Sequence, residues 1–126
     1  PRVMYEIDAS DPSKPYVAGG RGVYGELLPL AGGRNIFQDS PLPAAQVSTE
    51  SVVARDPQVI LLGDSQVPLN PQRPDTVRRR PGWQGIAAVR SGRIYPVAAE
   101  RMTRPGPRLV DGVEEVARLL HPERFR

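Results

Sequence analysis

The chain has no cysteine among its 126 residues, which excludes disulfides, thiolate metal sites and thiol nucleophiles. It has one histidine, His121, and one lysine, Lys14. A Ser-His-Asp triad or a multi-histidine metal centre would have to be assembled around that single imidazole near the C-terminus. Aromatic residues are scarce, at four Tyr, two Phe and one Trp. The formal charge of +3 comes from scattered arginines. It therefore lacks the clustered, aromatic-studded basic face that nucleic-acid binding uses. No stretch approaches the ~18 consecutive apolar residues of a membrane-spanning helix. Gly19-Gly20-Arg21-Gly22 lacks the Gly-Lys-Ser/Thr ending of a phosphate loop. The residues thus supply no metal site, no cofactor motif and no nucleophile-base pair.

What is there reads as one globular α/β unit. Hydrophobic residues make up 39% and charged residues 25%, a composition that supports a core, and the length is that of one domain. The chain opens at Pro1 and runs straight into a strand pattern, so it reads as a segment beginning inside a longer protein. Val3–Ile7 is a short apolar run that predicts a buried strand. Asp8–Gly22 is a loop rich in Pro and Gly. Val23, Leu27, Leu28, Leu30 and Ala31 have helical spacing, with Pro29 bending or shortening the helix and Gly32-Gly33 stopping it. Asn35-Ile36-Phe37 is a very short extended segment.

Ser48 is a good N-cap for a helix running to Arg55, which Asp56-Pro57 ends. Val59-Ile60-Leu61-Leu62 has the unbroken apolar character of a central parallel strand. Residues 63–74 form a loop, Asp75–Arg80 a short helix, Trp83–Val89 a turn with apolar anchors, and Arg93–Val97 another strand. After a loop over Ala98–Pro107, Leu109, Val113, Val116, Ala117 and Leu120 mark an amphipathic helix ended by His121-Pro122. This alternation predicts a three-layer α/β lobe, flavodoxin- or Rossmann-like, with a mostly parallel sheet and helices on both faces. Ligands in such sheets sit outside the C-terminal ends of the strands.

Four stretches in order carry a family resemblance. They are Gly25–Phe37 with its Gly-Gly-x-Asn-Ile-Phe ending, Gln46–Ile60 with Val-Ser-x-Glu and Asp-Pro-Gln-Val-Ile, Trp83–Tyr95, and Arg104-Pro105-Gly106-Pro107-Arg108 with the closing helix. Together they span nearly the whole chain. This sequence resembles the C-terminal lobe of the substrate-binding proteins that serve bacterial ABC importers of cobalamin, ferric siderophores and haem. The resemblance implies two α/β lobes joined by a long helix, with a metal chelate bound between them. Residues 1–126 would be the second lobe, and the N-terminal lobe and linking helix would lie outside this chain. It also implies a periplasmic or cell-surface-anchored location, an ABC permease as partner, and capture and delivery rather than catalysis.

The resemblance further implies roles for particular residues. Glu50, in Val-Ser-x-Glu, would dock onto arginines of the permease; a carboxylate there also simply offsets the positive end of its helix. Tyr16, in the loop after the first strand, would pack on the chelate, as an aromatic body with a polar tip can. Glu100, Arg101 and Arg104, in the loop after the last strand, would reach the same ligand. Arginine's fork suits carboxylate, hydroxamate or catecholate oxygens, although Arg104 can equally pair with Glu100. Ala44 departs from the tryptophan that cobalamin-binding members often carry there, which favours a siderophore over cobalamin.

Trp83 is expected in the core, Arg78–Arg80 on a solvated face, and His121 on the last helix carbonyls rather than on a metal. A lobe with its cleft face bare is expected to self-associate. The rival readings are a flavodoxin-like enzyme, which the missing chemistry disfavours, and a protein-interaction lobe.

Overall fold

The computed structural model describes residues 1–98 and 107–125. Six strands form one sheet: β1 (Arg2–Asp8), β2 (Tyr16–Ala18), β3 (Arg34–Asn35), β4 (Ala44–Gln46), β5 (Val59–Leu62) and β6 (Ile94–Pro96), in the order β4-β2-β1-β5-β6 with β3 beside β1. The helices are α1 (Gly22–Leu30), α2 (Thr49–Arg55), α3 (Pro74–Arg78), α4 (Ala87–Ser91) and α5 (Pro107–Leu120), followed by a 3-10 turn over Pro122–Phe125.

The parallel half is β1, β5 and β6, plus β3 against the start of β1. All four residues of β5 are buried, as its unbroken apolar run requires of a strand covered on both faces. One face packs on α1 and α5: Val3, Tyr5, Val59 and Leu61 meet Leu27, Leu28, Val116 and Leu120. The other face packs Met4, Ile60, Leu62 and Ile94 against Val52 of α2, Val77 of α3, Ala88 of α4 and the indole of Trp83. Trp83 is buried, as expected. The layers are those the alternation implies.

Three local features depart from the sequence reading. Tyr16–Ala18 and Ala44–Gln46 are strands rather than loop; β2 extends the sheet antiparallel to β1, and β4 pairs antiparallel to β2 in turn. Three-residue strands are too short to show a period-2 pattern, so neighbouring backbone decides them. Residues 87–91 likewise form a single helical turn rather than an open turn.

Asn35 explains the Gly-Gly-x-Asn pattern. Its buried side chain donates to the carbonyls of Ala18 and Gly19 at 3.2 and 3.1 Å and accepts from the amide of Phe37 at 3.0 Å. It thereby fastens the segment after α1 to the end of β2. Gly32, at φ 84°, ends α1 in the left-handed conformation that glycine adopts without strain. The carbonyl of Gly32 lies 2.9 Å from Nε2 of His121. His121 therefore bridges the ends of α5 and α1, a correction to the expectation that it served the carbonyls of its own helix.

Candidate functional site

The register of the antiparallel strands sets the working end of the lobe. Tyr16, first in β2, lies opposite Asp8, last in β1, and opposite Gln46, last in β4. Gln46 leads directly into Ser48, whose hydroxyl accepts from the amide of Ser51 at 3.2 Å and caps α2. The C-terminal end of β1, the start of β2 and the N-terminus of α2 thus meet on one strand-end side of the sheet. The intervening loop is tied there by the Val47 amide on the Pro15 carbonyl and by the Gln46 side chain on the Lys14 carbonyl.

Of the residues singled out in the sequence, Tyr16 and Glu50 are both exposed at this end. Tyr16 shows 42% of its surface to solvent, and it stands on a strand rather than in the loop assigned from sequence. Glu50 projects from the first turn of α2, where its charge complements the helix N-terminus. Glu100, Arg101 and Arg104 lie outside the described residues. The chain enters their segment from β6, which β1 and β5 separate from β2 along the sheet. Ala44 is exposed on β4 and offers no large surface.

Between the β1–β2 loop and the segment after β5 is a cavity of about 390 Å³, lined by Ala9, Ser10, Pro12, Gln72, Thr76 and Arg80, among others. Its size falls within the range of small-ligand pockets. Two of its lining residues, Gln72 and Arg80, belong to a charged cluster that sequence reasoning missed. Arg80 is 4% exposed, a correction to its assignment to a solvated face with Arg78 and Arg79. Those two are exposed, but Arg80 turns inward at the end of α3. Its guanidinium donates to both carboxylate oxygens of Glu6 at 2.6 and 2.9 Å and to the Gln72 side-chain oxygen at 2.9 Å. It also lies 4.6 Å over the indole of Trp83.

Glu6 is fully buried on β1. The signal available was a single acidic residue inside an apolar strand, which needs a partner when the strand is covered on both faces. Asp64, just past β5, is buried beside this pair, and neither of its carboxylate oxygens has a hydrogen-bond partner. Burial, followed by the neighbouring charge of Glu6, pushes the Asp64 carboxyl up to about 8. Tyr5, on the opposite face of β1, stacks on Tyr24 of α1 at 4.4 Å. Its hydroxyl is also without a partner, and burial drives its pKa well above the ordinary phenolic range. Among the described residues no cluster of three or more His, Cys, Asp or Glu is placed to hold a metal ion.

Comparisons with known proteins place this geometry. Over 120 residues, covering 95% of this chain and 36% of the relative, the sequence is 31% identical to an uncharacterised ABC transporter substrate-binding lipoprotein of Bacillus subtilis. It is 33% identical over 121 residues, 94% of this chain and 40% of the relative, to the vitamin B12-binding protein of Vibrio cholerae. The chain thus spans about two fifths of the length of these relatives. Among solved structures, a periplasmic heme-binding protein in complex with two hemes superposes with a TM-score of 0.80 at 25% identity. That match covers 97% of this chain and 44% of the other. The periplasmic binding protein family model matches residues 1–100. This is a family of binding proteins rather than enzymes. The chain belongs to the periplasmic binding protein family.

Proposed function

We propose that residues 1–126 form the C-terminal lobe of a solute receptor for an ABC importer, and that it presents one wall of a cleft to a metal chelate. The carrying observation is that exposed Tyr16, the cavity beside Pro12 and exposed Glu50 share the strand-end side of one sheet. A ligand wall and a docking carboxylate at the same end allow capture and delivery without the lobe turning over. The relatives are named for vitamin B12 and heme, which supports a large, partly apolar chelate: cobalamin, haem or a ferric siderophore. Ala44, without a broad aromatic surface, favours the siderophore. Glu100, Arg101 and Arg104, in the segment of sequence after β6, would contribute to the same ligand wall. A periplasmic or surface-anchored location accompanies this reading, since one relative is a lipoprotein.

The experiment uses the complete receptor that carries this lobe. Cobalamin, haemin and a ferric hydroxamate are titrated into the wild-type and Tyr16→Ala proteins, and uptake is followed with Glu50→Ala. Weaker binding of one chelate with Tyr16→Ala, and lost uptake with intact binding in Glu50→Ala, support the reading. Tight chelate binding by residues 1–126 alone would overturn the half-cleft assignment. The bare wall is expected to show concentration-dependent self-association in sedimentation; a strict monomer at high concentration opposes it.

A further inference from the structure

The cluster beside the cavity has a charge imbalance that its geometry alone exposes. Glu6 and Asp64 sit at the C-terminal ends of the paired strands β1 and β5 and are 0% and 1% exposed. Arg80 is the one cation among the described residues that acts on Asp64. Its two terminal nitrogens are spent on Glu6 and Gln72. Two carboxylates against one guanidinium leave a net negative charge in a buried site. An uncompensated buried charge is so costly that the group takes up a proton instead. Neither Asp64 oxygen has a donor, and the Arg80 Nε is unpartnered as well; a proton on one Asp64 oxygen gives that oxygen a contact to make.

The other groups around Asp64 do not relieve the imbalance. The Glu6 charge raises the proton affinity of Asp64, Asp64 raises that of the Tyr5 hydroxyl of β1, and Tyr24 of α1 and Glu115 of α5 act on the same hydroxyl. None of these four is cationic.

We propose that Glu6 and Asp64 share one proton at neutral pH, carried on Asp64 and donated to Glu6, and that this proton is a latch for the segment after β5. With the proton in place the cluster is neutral. Arg80 and Gln72 then hold their side of the cavity, and the Gln72 amide bonds the Asp64 carbonyl at 3.1 Å. Loss of the proton sets two anions against each other at the strand ends and frees that segment. The folded chain thus holds a proton that the unfolded chain releases from an ordinary carboxyl. Stability therefore falls as pH rises from the usual carboxyl range to the raised value, and levels off above it.

Urea unfolding of the chain from pH 5 to 9, with wild type and Asp64→Asn side by side, tests this. In wild type the unfolding constant is expected to rise by about tenfold per pH unit between pH 5 and 8. Asp64→Asn, with a neutral amide in place of the carboxyl, should lack that rise. Equal slopes in the two proteins would overturn the proposal. Two measurements on wild type hold even if Asp64→Asn does not fold. Infrared titration is expected to show a protonated carboxyl at pH 7 that disappears near pH 8, and its absence at pH 7 would overturn the shared proton. Hydrogen exchange should show the Gln72 amide losing protection on deprotonation, and unchanged protection across that step would overturn the latch.

Discussion

Trp83 donates its indole N–H to the hydroxyl of Thr49 at 3.3 Å, and the same hydroxyl donates to the Ser13 carbonyl at 3.3 Å. One small side chain at the start of α2 therefore connects the core tryptophan to the loop between β1 and β2. Through Trp83, which lies under the Arg80 guanidinium, that connection extends to the Glu6 cluster. The helix carrying Glu50 and the loop leading to Tyr16 are consequently held to the same anchor.

Thr49→Val keeps the shape and removes both hydrogen bonds, leaving the indole N–H without a partner. A loss of about 1–3 kcal/mol is expected, the cost of one unsatisfied buried donor, read from the midpoint of urea unfolding. Ser48→Ala, which removes only the helix cap, should cost ~1 kcal/mol in the same experiment.

Glu50→Ala should leave the fold intact, because the side chain is exposed and has only the helix N-terminus to satisfy. The expected stability loss is at most ~1 kcal/mol. Circular dichroism and thermal unfolding check this directly. Misfolding of Glu50→Ala would show that Glu50 has a structural role that the geometry does not contain.

Arg80→Met removes one partner of a buried ion pair and leaves Glu6 without its cation. That step should destabilise by about 3–5 kcal/mol. The double variant Glu6→Leu with Arg80→Met replaces the pair by apolar groups and should recover most of the loss, since a buried pair contributes little over a hydrophobic substitute. Denaturant midpoints of the two single variants and the double variant form the test. A double variant no more stable than Arg80→Met alone would contradict it.

Gly25→Ala should destabilise α1. A Cβ at this position would lie 2.1 Å from the Gly19 carbonyl oxygen, with the Gly20 backbone close behind. Backbone atoms cannot swing aside as a side-chain tip can, so the helix must back away from β2. The expected cost is ~1–3 kcal/mol, read as a lowered melting temperature.

The fold was legible where residues have only one good environment. Val59–Leu62 could be stable only under cover on both faces, and it is. Ser48 marked the start of α2, and Asp56-Pro57 marked its end. Glu50 and Tyr16 were singled out through the family motifs rather than through composition, and both are exposed at the strand-end side. The short strands β2 and β4 were not legible. Their pairing depends on Asp8, Tyr16 and Gln46 arriving together from distant parts of the chain.

Glu6 and Arg80 show the division most clearly. The sequence by itself determined the α/β layering, the central strand, the cap of α2 and the family, because these follow from local patterns of polarity and turn chemistry. It could not assign Arg80, third in a run of arginines that looks solvated, to a carboxylate 74 positions away. Only the tertiary structure decided that pairing, since the stability of a buried charge depends on which opposite charge the fold brings to it. It also decided that Asp64 is buried beside the pair with no donor to either carboxylate oxygen.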